Sequence, residues 1–96
     1  MFARVTTVQG SPDRIDETTG YARERVLPAM QAQPGFKGMY MLVDRKQGRA
    51  LGITLWESEE ALRATAETAG QMRAGAMERG ATAEPTAAEY EVTVEA

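Results

Sequence analysis

The chain contains no cysteine and no histidine among its 96 residues. Without cysteine, the sequence excludes disulfide scaffolds, zinc ribbons, iron–sulfur clusters and thiol nucleophiles. Without histidine, it excludes Ser-His-Asp catalysis, His-ligated haem and imidazole acid–base chemistry. We therefore predict no bound metal and no cofactor, so any chemistry has to come from other polar side chains, thioethers or the backbone.

An excess of basic charge and long apolar runs are also missing. Eleven Lys and Arg residues against fourteen Asp and Glu residues give a net charge of −3, which disfavours binding to nucleic acid or to an anionic membrane surface. No apolar run has the length of a membrane span, and the N-terminus lacks the pattern of a signal peptide. We expect a cytoplasmic protein with a single domain over residues 1–96.

Six elements are predicted in the order β-α-β-β-α-β. Ser11 and Pro12 predict the start of the first helix, Pro28 predicts a kink in it, and Ser58 predicts the cap of the second helix. Runs of β-branched and apolar residues predict strands over 2–8, 36–44 and 49–57, and strict alternation predicts a strand over 89–95. This order indicates a ferredoxin-like α+β fold, a four-stranded antiparallel sheet with two helices on one face.

Both faces of the predicted sheet are apolar. Pairing Asp44 with Arg49 across the hairpin divides the two central strands into two sets. One face carries Phe36, Tyr40, Leu42, Leu51, Ile53 and Leu55. The other face carries Met39, Met41, Val43, Ala50, Gly52, Thr54 and Trp56. Because the helices cover only one face, we predict that a second copy of the chain covers the first set, which gives a homodimer.

Small residues predict either close packing or a cavity between the sheet and the second helix. That helix is rich in alanine from Ala61 onward, and it faces Gly52 and Thr54 of the third strand. Close packing agrees with the scarcity of voids in protein interiors. A cavity would instead make an apolar pocket for a small molecule, and its walls would include Thr54, Met39, Met41 and Trp56. Trp56 is either a core aromatic or a residue of this pocket.

Three more residues have two interpretations each. Arg4, in the middle of the first strand, either pairs with a carboxylate such as Glu57 or Glu91 or holds an anionic ligand. Tyr21, on the first helix, points either into the pocket or to solvent. The hydroxyl of Tyr40 is either a proton donor or part of the packing between protomers. The pocket candidates are therefore Trp56, Thr54, Met39, Met41, Tyr21 and Arg4.

RNA binding is a competing interpretation of the same order of elements, which RNA-recognition domains share. The segment 35–40, GFKGMY, is similar to their aromatic stacking motif. It lies on the second strand rather than the third, however, and the third strand lacks the required aromatics. The chain is also acidic, so we do not expect nucleic acid as a partner.

The segment PGFKGMYMLVDRKQGRALGITLWESEEAL and the order of elements resemble the dimeric α+β barrel superfamily, in particular its antibiotic-biosynthesis monooxygenase family. The motifs that carry the likeness are LWESEEA at 55–61 and PGF at 34–36. The resemblance implies two protomers whose sheets meet in a barrel, with one pocket per protomer between sheet and helices. It also implies that some members oxidise polycyclic aromatic substrates with O₂ and without a cofactor.

The same family includes haem-degrading members, in which a Trp matching Trp56 lies beside a His and an Asn. Here those two positions fall near Ala66 and Ala3, so haem degradation is not expected. Two functions remain open on this resemblance. One is a cofactor-independent monooxygenase acting on an electron-rich phenol or quinol. The other is a non-catalytic binding or accessory protein of the same fold.

Overall fold

The structure is a computed structural model that describes residues 1–96. One antiparallel sheet has the strand order β2-β3-β1-β4. Its strands are β1 (Phe2–Gln9), β2 (Phe36–Asp44), β3 (Arg49–Trp56) and β4 (Thr86–Glu91). The helices are α1 (Ile15–Tyr21), α2 (Leu27–Gln31), α3 (Glu59–Ala64) and α4 (Ala66–Ala76). This architecture confirms the predicted ferredoxin-like α+β fold.

The β2–β3 hairpin has the predicted register, with Asp44 opposite Arg49. The side chain of Asp44 accepts hydrogen bonds from the backbone N–H groups of Lys46 and Gln47, each at 3.1 Å. Gly48 closes the loop with a φ of 67°, in the left-handed region that favours glycine. The loop also packs against the start of the first helical segment, because a Cβ atom at Gly48 would collide with the backbone of Ser11.

Phe36 lies on the face of the sheet that the helices cover, and its predicted place on the open face is wrong. A bulge between Phe36 and Gly38 inserts one extra residue into β2. The extra residue moves Phe36 to the opposite face, where its ring meets Trp56 edge-on at 5.6 Å. Downstream of the bulge the predicted faces are confirmed, with Tyr40 opposite Ile53 and Leu42 opposite Leu51.

The first helical segment begins later than predicted and contains a π-helical turn before its proline. Regular helix starts at Ile15, and no side chain caps it. A π-helical turn over Ala22–Val26 follows α1. Pro28 then lies in the first turn of α2, where a missing N–H costs little. A π turn thus directly precedes Pro28, and the kink expected there stays a prediction.

The second helical segment starts at the predicted cap and breaks once. The Oγ of Ser58 accepts a hydrogen bond from the backbone N–H of Ala61 at 3.1 Å, which confirms the cap. Thr65 separates α3 from α4. Its hydroxyl donates to the carbonyl of Leu62 at 2.7 Å and accepts from Nη1 of Arg4 at 2.9 Å. The break thus joins the helices to the first strand.

The last strand covers residues 86–91, so the predicted segment 89–95 is wrong. The pairing between β1 and β4 ends at Glu91, because its partner Phe2 is the first residue of β1. One further hydrogen bond joins the Val92 N–H to the Met1 carbonyl at 2.8 Å. Alternation continues to Glu95 in the sequence, but no partner strand remains for it.

Two small apolar clusters lie between the sheet and the helices. The first cluster is built from Val8, Ile15, Ala50, Ala76 and Ala81. The second cluster is built from Met30, Trp56, Leu62 and Ala69. No helix is long and apolar enough to cross a membrane. The cytoplasmic location stays a prediction.

Candidate functional site

A cavity separates the two apolar clusters, between the covered face of the sheet and the helices. Its volume open to the centre of a water molecule is about 70 Å³. The sheet supplies its floor with Arg4, Thr6, Val8, Met39, Met41, Gly52 and Thr54. The helices supply most of its roof with Tyr21, Ala22, Val26, Ala69, Met72 and Arg73. Five of the six predicted pocket residues therefore lie around one cavity.

Four residues cross the sheet in a single row beneath this cavity. Thr54 of β3 stands between Met39 of β2 and Arg4 of β1, and Arg4 in turn stands opposite Glu89 of β4. Directly opposed residues of antiparallel strands have Cβ atoms about 5 Å apart. The register therefore brings a thioether, a hydroxyl, a guanidinium and a carboxylate together.

Arg4 is the buried charge of the site, with 4% of the residue exposed. Its Nη2 donates to the carbonyl of Leu62 at 3.0 Å and lies 3.5 Å from the Oε2 of Glu89. The predicted partners Glu57 and Glu91 are wrong, because β4 ends earlier than expected and places Glu89 opposite Arg4. Burial lowers the pKa of the Arg4 guanidinium, and the Glu89 carboxylate raises this pKa in part.

The cavity wall carries positive charge and no carboxylate. Arg73 of α4 lines it together with Arg4, and no Asp or Glu does. Arg73 is close enough for its charge to lower the pKa of Arg4 further. The one carboxylate that pairs with Arg4 belongs to Glu89, whose side chain is 47% exposed. Water screens such a group, so Glu89 neutralises the buried charge of Arg4 only in part.

Tyr21 points into the cavity rather than to solvent. Its hydroxyl donates to the Met72 carbonyl at 2.7 Å, and burial raises its pKa. Gly75 makes this position available, because a Cβ atom there would collide with the Tyr21 hydroxyl. Since the single proton of the hydroxyl is already donated, Tyr21 can only accept a hydrogen bond from a ligand.

Trp56 lies behind the cavity and does not line it. The residue is fully buried and packs with Met30, Leu62 and Ala69. Its indole N–H donates to the Oγ1 of Thr54 at 2.9 Å, and Thr54 does line the cavity. The structure therefore places Trp56 one side chain away from any ligand.

Two further wall residues, Thr6 and Arg73, were not among the predicted pocket residues. Thr6 is one of two adjacent threonines in β1, and only the register decides that it faces the helices. Arg73 looks like an ordinary charged residue on a helix that contains several of them. Its helical spacing is the signal that marks it, because Arg73 follows Ala69 by four residues and both therefore lie on one side of α4.

A second depression adjoins the cavity at the β2 edge of the sheet. This groove has a volume of about 320 Å³ and shares Ala22, Met39 and Met41 with the cavity. The cavity alone is smaller than the roughly 150 Å³ that holds benzene in an engineered apolar site. Met39 and Met41 line both spaces, and methionine side chains are flexible. A ligand as large as those held by typical small-molecule sites of roughly 300–1,000 Å³ would have to displace these two side chains.

The residues around the cavity do not fit haem. The chain has no His or Cys to ligate the iron, and the only wall tyrosine already donates its proton to a carbonyl. No group of three or more carboxylates comes together elsewhere to hold a metal ion. The absence of a metal and of a cofactor stays a prediction.

Two uncharacterized proteins of Mycobacterium tuberculosis strain H37Rv, Rv2558 and Rv2557, are similar to this chain. Each is 37% identical over 73 residues, which is 76% of this chain. The match covers 31% of the first protein and 33% of the second. The chain thus spans about a third of the length of these curated relatives.

Several solved structures share the fold. A monooxygenase of Streptomyces coelicolor in complex with the ligand nanaomycin D has a TM-score of 0.80 at 19% identity, covering 99% of this chain and 89% of that chain. The heme-degrader MhuD of Mycobacterium tuberculosis, with two hemes bound in its active site, has a TM-score of 0.71 at 23% identity, covering 100% and 99%. At these identities the likeness shows the fold alone.

The family profile for antibiotic biosynthesis monooxygenases matches residues 1–77. That range contains most of the cavity wall, including Arg4, Thr54 and Arg73. It also contains the two motifs, PGF and LWESEEA, on which the resemblance in the sequence rests. The chain belongs to the antibiotic biosynthesis monooxygenase family.

Proposed function

We propose that this protein is a cofactor-independent monooxygenase acting on an electron-rich aromatic phenol or quinol. One observation carries the proposal: a nearly fully buried arginine faces an otherwise mostly apolar cavity whose wall has no carboxylate. Such a wall stabilises a ligand that is apolar in its body and anionic at one oxygen. A phenolate has this character, and it is the form of a phenol that gives up an electron to O₂.

The chemistry balances without an external reductant. A ring C–H and the phenol O–H lose their hydrogens, and two C=O groups result. One atom of O₂ enters the ring, and the other leaves as water with the two hydrogens. All four electrons come from the substrate. The protein has to bind the ring, hold the oxygen as an anion and keep the geometry fixed.

The length of the cavity and the adjoining groove across the strands suits a fused-ring aromatic ligand. From Met39 and Met41 on β2, the floor passes over Thr54 and Gly52 on β3 to Arg4 and Thr6 on β1. Two strand spacings amount to roughly 10 Å, which matches a body of two or three fused rings. Glycine in the middle of this floor leaves its space to the ligand. We therefore propose that the phenol oxygen of the substrate lies at the Arg4 end.

Deprotonation of the substrate is assigned to solvent, because no wall residue is a suitable base. The wall has no Asp, Glu or His, and the Tyr21 hydroxyl has a raised pKa. The positive charges of Arg4 and Arg73 instead lower the pKa of the bound phenol. Turnover is then expected to rise with pH until the bound phenol is fully ionised.

We further propose that the protein is a homodimer that buries the open face of the sheet. Tyr40 is 61% exposed and Leu42 is 49% exposed, and both lie beside the half-buried Ile53. A contiguous apolar surface of this kind marks an interface. A second copy of the same face is self-complementary under two-fold symmetry, which is the commonest arrangement in oligomers.

A binding experiment with a matched pair of ligands tests the anion site. The affinity for 1-naphthol should rise as pH increases, and the affinity for its methyl ether, which cannot ionise, should stay constant. Arg4→Met should reduce the affinity for the ionised ligand by roughly tenfold to a hundredfold, because a charge-assisted hydrogen bond is lost. Arg63→Met serves as the control, since Arg63 is exposed and pairs only with Glu59. Equal affinities of wild type and Arg4→Met at high pH would contradict the proposal.

The second candidate is a non-catalytic binding protein with the same pocket. The observation that favours it is the absence of a base in the cavity wall. Oxygen uptake separates the two functions, because a binding protein would hold the ionised phenol without consuming O₂.

A further inference from the structure

We propose that Thr54 supplies a second hydrogen bond to the anionic oxygen of the ligand, and that Trp56 is the positioning residue that directs this bond. The inference rests on the proposed function, because it concerns the same anion site. It assigns a role to a tryptophan that does not touch the cavity.

The register places Thr54 next to the arginine. Thr54 and Arg4 are direct partners across the β3–β1 ladder, so their Cβ atoms are about 5 Å apart. Both side chains lie on the helix-covered face and line the cavity. Both are more than nine-tenths buried, with 8% and 4% exposed. The two side chains therefore line neighbouring parts of the cavity floor, and the proposal places the ligand oxygen between them.

The hydrogen bonds of Thr54 leave its proton for a ligand. Its Oγ1 accepts the indole N–H of Trp56 at 2.9 Å, and the hydroxyl donates to no acceptor in the protein. An indole N–H can only donate, so the bond between the two side chains has one direction. With one lone pair of the oxygen occupied by the indole, the O–H bond turns away from Trp56. The cavity is on the side away from Trp56.

Trp56 is held firmly enough to fix this direction. The residue has no exposed surface. Phe36 packs edge-on against the ring at 5.6 Å, and Met30 and Leu62 enclose it. Rotation of a ring of this size in a packed core is restricted. The indole N–H is thus a stationary donor, and the Thr54 hydroxyl is oriented before a ligand arrives.

Arg4 has donors left for the same oxygen. Its Nη1 and Nη2 bind Thr65, Leu62 and Glu89, and the Nε–H binds no protein acceptor. A hydroxyl and a guanidinium N–H that converge on one oxygen form a two-donor site for an oxyanion. Donors oriented in advance stabilise the ionised ligand more than the neutral one, so both donors lower the pKa of a bound phenol.

The test uses 4-nitrophenol as the probe, because its phenolate absorbs visible light and its ionisation in the complex is read directly. In the wild type the pKa of the bound probe should lie below that of the free probe. Thr54→Val removes the hydroxyl and keeps the shape, and Trp56→Phe removes the indole N–H and keeps an aromatic ring. Each should raise the pKa of the bound probe by about one unit, which corresponds to a tenfold loss of affinity for the phenolate. Thr54→Ser should keep the wild-type value, and so should the control Thr93→Val at an exposed site.

The outcomes separate this inference from the proposed function. A lowered pKa in the wild type that persists in Thr54→Val and Trp56→Phe overturns the roles of Thr54 and Trp56 and leaves the Arg4 site standing. A wild-type probe with an unchanged pKa overturns the anion site itself, and this inference with it. A rise in Thr54→Val that Thr54→Ser also shows overturns the role of the hydroxyl. If Thr54→Val fails to fold, Trp56→Phe measured beside Thr54→Ser gives the same decision.

Discussion

The two faces of the sheet differ in their chemistry: the covered face includes polar groups with specific partners, and the open face is apolar. The covered face carries Arg4, Thr54 and other polar groups among its apolar residues, and each of them has a specific partner or faces the cavity. The open face carries Tyr40, Leu42 and Ile53, with no buried charge among them. Covering the open face requires only an apolar surface, whereas the covered face depends on specific hydrogen bonds and packing contacts. Substitutions on the open face should therefore alter association, and substitutions on the covered face should alter stability and the cavity.

Ile53→Asp on the open face is expected to have the largest effect. A carboxylate at the centre of an apolar interface would be buried without a partner. The dimer should give way to monomers or aggregates, as measured by light scattering at micromolar concentration. Val94→Asp is the control, since Val94 is 88% exposed. A wild-type protein that is a uniform monomer would remove the basis for this prediction.

Trp56→Ala on the covered face should lower the free energy of unfolding by about 3–5 kcal/mol, because a large side chain is removed from a packed cluster. Chemical denaturation measures the loss. The proposed dimer should persist under native conditions, since Trp56 faces the helices and not the open face. A change below about 1 kcal/mol would show that Trp56 is less tightly packed than its burial indicates.

Two glycines of α4 should respond to alanine with opposite signs. Gly75→Ala would place a methyl group against the Tyr21 hydroxyl and should cost about 1–3 kcal/mol as overpacking. Gly70→Ala meets only the flexible end of Arg73 at 3.8 Å. It should stabilise the protein by up to about 1 kcal/mol through helix propensity. Melting temperatures of the two variants, measured side by side, test both signs, and equal shifts would contradict the prediction.

The smallest expected effect is a pH dependence of stability that comes from Tyr21. Burial raises the pKa of this hydroxyl above its ordinary value of 10.0. A raised folded-state pKa favours the neutral form, so its contribution is complete below pH 10 and is lost as pH rises through the folded-state pKa. Tyr21→Phe should weaken the decline in stability above pH 10. Urea unfolding of both proteins at several alkaline pH values measures the difference, and parallel curves would exclude Tyr21 as the cause.

Much of the fold follows from local sequence signals, and the exceptions have physical causes. The Asp44–Arg49 register and the Ser58 cap depend on residues close together in the chain, and both are confirmed. The bulge that moves Phe36 leaves no trace in the alternation of apolar residues, because Gly38 is compatible with either face. The end of β4 depends on where β1 begins, which is more than eighty residues away in sequence.

The same distinction explains which site residues could be predicted: those that depend on nearby sequence were found, and those that depend on distant packing were not. The sequence led to five residues that line the cavity. Small residues on one strand and methionines on its neighbour indicated Thr54, Met39 and Met41, whereas a charge within a strand and an aromatic residue on the first helix indicated Arg4 and Tyr21. It led to the wrong partner for Arg4, because that partner depends on the register of β4. The place of Trp56 behind Thr54 depends on packing by Phe36, Met30 and Leu62, which no spacing in the sequence reveals.

Oxygen uptake with an electron-rich dihydroxynaphthalene, in protein treated with a chelator, tests the central proposal most directly. The wild type should consume one O₂ for each quinone formed, place one oxygen atom of that O₂ in the quinone and release no H₂O₂, at a rate well above that of the same mixture without protein. Arg4→Met should lose most of this acceleration, and Arg63→Met should retain it. A rate in the presence of wild-type protein that equals the rate without it would contradict the proposal that the protein is a monooxygenase.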